Sequence, residues 1–131
     1  MKASAVITGK ATVKFRGEFL FFRWNKTVNK DINETLVLGE LSGTHLSRNI
    51  PIAGPATLTI GLDNTDAGLV GFAEVSFGGL SIYRQDFPVA TKDKKGVLDI
   101  GTAKLEANPW VITVKDVRGV NLQTKIFLKL D

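Results

Sequence analysis

Apolar and polar residues alternate with a period of two along most of the chain, and this pattern constrains the fold more than any other feature. The C-terminal run is the clearest case, with Leu122 and Ile126 on one side and Gln123 and Lys125 on the other. Successive side chains of a strand point to opposite faces, so the alternation indicates half-buried β-strands. No stretch of ten or more residues carries an apolar stripe at helical spacing. The sequence therefore predicts an all-β protein.

Turn-forming residues recur about every ten positions and divide the chain into eight or nine short strands, which include 96–101, 110–117 and 120–130. The hydrophobic fraction of 44% is enough for one continuous core in a chain of 131 residues. We therefore predict a single-domain antiparallel β-sandwich over residues 1–131, with a jelly-roll or immunoglobulin-like topology. A small closed β-barrel is the alternative. Chain ends often lie close together, so we expect the first and last strands to be neighbours.

The residue types needed for most metal sites are scarce in this chain. It has no cysteine and a single histidine, His45, which we predict to be an ordinary loop residue. Disulfides, thiolate zinc sites and cysteine nucleophiles are thus excluded. Asp63, Asn64 and Asp66 could offer oxygen ligands, but they lack the spacing of a calcium loop and are better read as a turn. We predict no metal and no cofactor.

Catalytic motifs are also missing from the sequence. There is no phosphate-binding glycine loop and no nucleophile elbow around a serine. Paired carboxylates can hydrolyse glycosides without any motif, and Asp86, Asp99 and Glu106 are candidates. A short all-β chain, however, uses most of its residues for the core and keeps few for a cleft. We therefore predict that the protein is not an enzyme.

The charge of the chain points to no specific nucleic-acid partner. Its 17 basic and 13 acidic residues give a net charge of only +4, and the one dense basic cluster, 92–95, contains Asp93. That cluster is predicted to be a solvated hairpin tip. No apolar run reaches the length of a secretory signal or a membrane span. As written, the chain is expected to be cytoplasmic, although an extracellular or virion-associated location stays open if a signal peptide was removed.

The stretch 18–24, EFLFFRW, has apolar residues on both faces if it is a single strand. Leu20, Phe22 and Trp24 would then face the core, while Phe19 and Phe21 would face outward. The chain itself could cover this second face, at a sheet edge or under a long loop predicted at 42–55, or the face could bind a partner. An apolar centre inside a charged rim is the anatomy of an interface. We therefore predict a partner-binding surface formed by residues of the first, second and last strands: Phe19, Phe21, Phe127, Lys14, Arg16, Arg23, Lys125 and Lys129. The leading functional hypothesis is a non-catalytic structural, assembly or protein-binding sandwich that self-associates or docks to a partner protein.

A binding module or barrel for a small apolar or carbohydrate ligand is the alternative function. Trp24, Tyr83 and Trp110 would line its pocket. The simpler interpretation of Trp110 is a core residue near one end of the sandwich, whereas Tyr83 is predicted to be exposed. The strand at 69–77 adds a second case of two apolar faces, with Val70 and Phe72 opposite its inner residues. Such strands favour either a third layer or association.

Overall fold

A computed structural model describes residues 2–20, 22–98 and 109–130, and the side chains of residues 18 and 19 lie outside that description. Eight β-strands follow one another along the described chain. They are β1 (Lys2–Phe19), β2 (Phe22–Glu40), β3 (His45–Ala53), β4 (Ala56–Asn64), β5 (Gly68–Phe77), β6 (Leu80–Thr91), β7 (Trp110–Val117) and β8 (Val120–Leu130). The prediction of an all-β chain is confirmed.

The strands form two four-stranded antiparallel sheets, and the predicted β-sandwich is confirmed while the closed barrel is not. The first sheet has the order β2-β1-β8-β7, and the second has the order β3-β4-β5-β6. Strand β1 pairs with β8, so the expected neighbourhood of the first and last strands is also confirmed. Within each sheet, hydrogen-bonded neighbours are consecutive strands or the two chain ends. This order is a meander and differs from the Greek-key connections of jelly rolls and immunoglobulin domains, because short hairpins join most of the strands.

One hydrophobic core fills the space between the two sheets. The alternation in β8 places Leu122, Ile126 and Leu128 in this core with at most 1% of their surface exposed. Trp110 at the start of β7 is 3% exposed and stacks on Phe87 of β6, with ring centroids 4.7 Å apart. The interpretation of Trp110 as a core residue is therefore confirmed.

The stretch 18–24 is a hairpin and not a single strand, which corrects the sequence-based interpretation. Phe19 ends β1 and pairs with Phe22, which begins β2. Leu20 lies in the connecting turn with a φ of 58°, in the left-handed region that a leucine rarely adopts. The sequence does not predict this turn, because two-residue hairpin loops normally carry glycine, asparagine or aspartate and residues 18–24 contain none of these. Leu20 and Phe22, predicted to face the core, are 79% and 72% exposed.

Residues 42–55 were expected to form a long loop, and the structure places strand β3 there instead. His45 is consequently the first residue of a strand rather than a loop residue. The strand was not predicted because it contains Pro51, and a proline cannot donate a hydrogen bond to a neighbouring strand. The structure tolerates it because β3 is the outermost strand of its sheet and, among the described strands, is hydrogen-bonded to β4 alone.

A strand was predicted at 96–101, but the structure describes only residues 96–98 of it, and these do not form a regular strand. Leu98 forms an isolated bridge with Lys92, and residues 99–101 lie outside the described chain. Between them the basic cluster forms a turn in which Asp93 accepts hydrogen bonds from the backbone N–H groups of Lys95 and Val97.

Candidate functional site: a projecting hairpin arm and a basic cleft

The hairpin of β1 and β2 extends well beyond the rest of its sheet. Strand β8 begins at Val120, which pairs with Val13, while β1 continues to Phe19. On the other side of β1, Val13 pairs with Val28, so residues 14–19 and 22–27 form a two-stranded ribbon past the last pair of β1 with β8. We call residues 14–27 the arm. A ribbon of this kind has only its own two strands in its sheet, and its surfaces are therefore available to other molecules.

An apolar face runs along the arm. Phe15 and Trp24 meet edge to face, with ring centroids 6.0 Å apart and an interplanar angle of 73°. Trp24 lies directly over Gly17, where a Cβ atom would stand about 1.9 Å from the indole ring. Trp24 remains 43% exposed and Phe22 more so. The inner face of β1 and β2 thus continues from the core into solvent at the arm.

A basic cleft of about 760 Å³ lies at the base of the arm. Its basic side chains are Lys14, Arg16 and Lys26 of the arm and Arg118 of the turn between β7 and β8. The remaining lining residues are neutral: Phe15, Asn25, Thr27, Pro55, Phe77 and Gly119. Because every charge in this described lining is positive, the cleft favours an anionic ligand.

Two hairpin turns of the second sheet close the inner side of the cleft. Phe15 lies against the turn between β3 and β4, where a Cβ atom on Gly54 would stand 2.8 Å from the phenylalanine ring. The backbone N–H of Gly78 donates to the carbonyl oxygen of Pro55 and ties the neighbouring turn to it, at 2.9 Å. The contact of Phe15 with the turn at Gly54 therefore anchors the base of the arm to the second sheet.

The predicted partner-binding residues fall into two separate groups. Lys14, Arg16 and Arg23 belong to the arm, as does the backbone of Phe19. Phe21 and the side chain of Phe19 lie outside the described residues.

Phe127, the centre of the second group, pairs with Val6, which is 13 residues before Phe19 on β1. That separation is about 43 Å along an extended strand. Lys125 and Lys129 flank Phe127 and are exposed on the outer face of the first sheet. The eight residues therefore do not form one continuous surface.

The three residues predicted to line a ligand pocket are also dispersed. Trp24 pairs with Gly17, whereas Trp110 is aligned through Ile126 with Ile7, ten residues earlier on β1. Ten residues span about 33 Å of strand. Tyr83 lies in the other sheet, half-buried against the core, so its predicted exposure is wrong. An irregular register between β5 and β6 at Val75 and Ser76 shifts its side chain inward.

The second strand with two apolar faces is explained by its own sheet. Phe72 points outward from β5 and is nevertheless only 5% exposed. The guanidinium carbon of Arg84 lies 4.3 Å from the centre of its ring, and the imidazole of His45 stacks on it at 5.8 Å. Gly61 gives the ring its space, because a Cβ atom there would stand 2.3 Å from it. A third layer is not needed to cover Phe72.

Among the described residues, those weighed for catalysis and metal binding form no recognisable centre. His45 Nδ1 lies 2.5 Å from Asp63 Oδ1 on the exposed face of the second sheet. The turn after Asp63 is closed by Thr65, whose hydroxyl donates to the carbonyl oxygen of Gly68. In the described part of the chain, no three histidine or acidic side chains are grouped so as to hold a metal ion. Asp86 is exposed on β6, and the other two candidate carboxylates, at positions 99 and 106, lie outside the described residues.

Sequence reasoning missed Lys26, Arg118 and the exposure of Phe22. The first two are far apart in the sequence, and only the pairing of β1 with β2 and β8 brings them to one cleft.

Comparison with known protein families, with curated proteins and with solved structures gives no match. No helix in the described residues has the length and apolar character needed to cross a bilayer.

Proposed function

We propose that this protein is a non-catalytic docking module that binds a partner protein through the tip of the arm. The observation that carries the proposal is the exposure of Leu20 and Phe22, 79% and 72%, at the end of a ribbon that projects past its sheet. Two large apolar side chains at a projecting tip contribute little to the core. They would bury most of their surface in an interface, where aromatic residues contribute disproportionately to binding.

The backbone of Leu20 supports the same proposal. A leucine in the left-handed region costs about 1 kcal/mol relative to a residue that tolerates it. Its φ of 58° would suit asparagine or glycine at no such cost. An apolar side chain at a position that folding alone would assign to asparagine or glycine is expected where the side chain has a role on the surface.

The charge of the arm favours a different protein over a second copy of this chain. Residues 14–27 carry four basic residues, Lys14, Arg16, Arg23 and Lys26, against one acidic residue, Glu18. Two arms brought together would concentrate like charges, which opposes association. We therefore favour a partner with acidic residues beside an apolar patch, and self-association is the weaker form of the proposal. A cytoplasmic location stays a prediction.

Site-specific photo-cross-linking in the producing cells tests the proposal. A photoreactive phenylalanine analogue replaces Phe22 in one variant and Val111, which is 53% exposed on β7 of the same sheet, in the control. We expect one discrete partner to cross-link from position 22 and not from position 111, and to be lost when Trp24→Ser is added. Equal cross-linking from both positions would refute docking through the arm. A product with twice the mass of the chain would instead assign the arm to self-association, and light scattering over a concentration series would then give its stoichiometry.

A further inference from the structure

Beyond Lys14, the described part of the chain gives strand β1 a neighbouring strand on one side only, which is β2. The backbone N–H of Lys14 donates to the carbonyl oxygen of Gly119, at 2.8 Å, just before β8 begins at Val120. Arg118 and Gly119 have φ values of 49° and 80°, and this left-handed backbone forms the tight turn between β7 and β8. The position that an extended β8 would occupy beside the arm is therefore not filled by any strand of the described chain. We call this position the open lane.

The backbone of Arg16 faces the open lane. In an antiparallel ladder, the N–H and C=O groups of one residue point to the same side, and alternate residues share that side. Since the N–H of Lys14 points toward β8, the N–H and C=O of Arg16 point the same way. The pairing of β1 with β2 is regular over the whole arm, so no bulge changes this direction. An added strand could thus hydrogen-bond to Arg16 and continue the sheet.

The charge around the open lane determines what kind of strand would fit. Lys14, Arg16, Lys26 and Arg118 line the cleft, and their described neighbours in that lining are neutral. Phe15 and Phe77 supply an apolar floor. Lys14 and Arg16 lie on the face of β1 opposite Phe15, whereas Lys26 pairs with Phe15 and shares its face. An extended peptide that alternates acidic and apolar side chains would place its acidic side chains beside Lys14 and Arg16 and its apolar side chains beside Phe15.

We propose that the open lane binds an extended, carboxylate-rich segment of the partner protein by β-strand addition beside Arg16. The inference rests on the proposed docking function and specifies the chemistry of the partner. A single-stranded nucleic acid is less suited, since it would need free aromatic faces for its bases. In the cleft, Phe15 is engaged by Trp24 and by the turn at Gly54. A strand edge, in contrast, offers the N–H and C=O groups that a polypeptide uses.

The test uses the whole protein and a capped octapeptide that alternates glutamate with valine. We expect saturable binding in titration calorimetry that weakens as sodium chloride rises from 50 to 500 mM, because salt screens the charges. Arg16→Gln and Arg118→Asn should each weaken binding about twofold to fivefold, as expected for one exposed charge pair. Asparagine is chosen at position 118 because it tolerates the left-handed backbone. Lys125→Gln, which removes an exposed charge on β8 outside the cleft lining, is the matched control and should bind like the wild type.

Amide hydrogen exchange measured by NMR separates strand addition from simple charge attraction. Saturating peptide should slow exchange at the amide of Arg16, and a peptide with N-methylated backbone should neither bind tightly nor protect this amide. Binding without protection of Arg16, an equal loss of affinity in Lys125→Gln, or tighter binding of oligo(dT) than of the peptide would each overturn the inference. Cross-linking from position 22 without peptide binding would refute only this inference. Peptide binding without such cross-links would refute only docking through the tip.

Discussion

Replacement of Leu20 by asparagine should leave the protein at least as stable as the wild type, although it removes a large apolar side chain. Leu20 is 79% exposed, so about a fifth of its side chain is shielded from water. Full burial of a leucine is worth about 1.5–3 kcal/mol, and a fifth of that is about 0.3–0.6 kcal/mol. Asparagine tolerates the left-handed backbone, which recovers about 1 kcal/mol. The balance is a gain of about 0.5 kcal/mol in the free energy of unfolding.

Urea denaturation followed by circular dichroism measures this balance. The midpoint of Leu20→Asn should equal or slightly exceed that of the wild type, with an unchanged dependence on urea concentration. Leu122→Ala is the contrasting control, because Leu122 is 1% exposed and its truncation should cost about 2–5 kcal/mol. A loss of more than about 1 kcal/mol in Leu20→Asn would refute the reasoning, since it would mean that the tip packs against the rest of the chain. The same variant should reduce cross-linking from position 22.

The two tryptophans and two of the glycines give further tests of how the chain divides between core and arm. Trp110→Ala should cost about 3–5 kcal/mol in denaturant unfolding, because Trp110 is buried and stacked on Phe87, whereas Trp24→Ala, at a half-exposed site, should cost clearly less. Gly71→Ala should lower the free energy of unfolding by about 1–3 kcal/mol, since the new Cβ would stand 2.1 Å from the ring of Trp110. Gly43→Ala has open space around it and should leave the melting temperature within error of the wild type, and a larger effect there than at Gly71 would contradict the packing described.

The sequence predicted those strands whose residues alternate between a buried and an exposed face. Strands β7 and β8 lie at the predicted positions, because one face of each packs on the core and the other meets solvent. The turns were predicted less accurately than these strands. Glycine and asparagine correctly predicted the turn after Asn64, but the turn at Leu20 carries neither residue, and its left-handed backbone cannot be read from a leucine.

The sequence correctly predicted some residues of the candidate site but not which of them lie together. Lys14 and Arg16 were expected in a basic, aromatic surface, and they do line the cleft. The prediction that they lie near Phe127 assumed that this end of β1 pairs with the C-terminal half of β8. Register decides that question, and β8 ends its pairing with β1 at Val13, so Phe127 lies beside Val6 instead. Period-two patterns specify which face a residue occupies but not how far along the sheet it lies.

The structural division between core and arm is what makes a docking role physically consistent. The sandwich buries its own apolar faces, including Phe72, whose outward ring is covered by Arg84 and His45 of the same sheet. The arm does the opposite, because its apolar face continues past Val120, where β8 begins, and is left in contact with water at Phe22. Because Leu20 and Phe22 are mostly exposed, we expect substitutions of these two residues to alter the proposed docking surface with little effect on folding. A partner that completes the sheet beside Arg16 would cover the arm in the way that β8 covers the rest of β1.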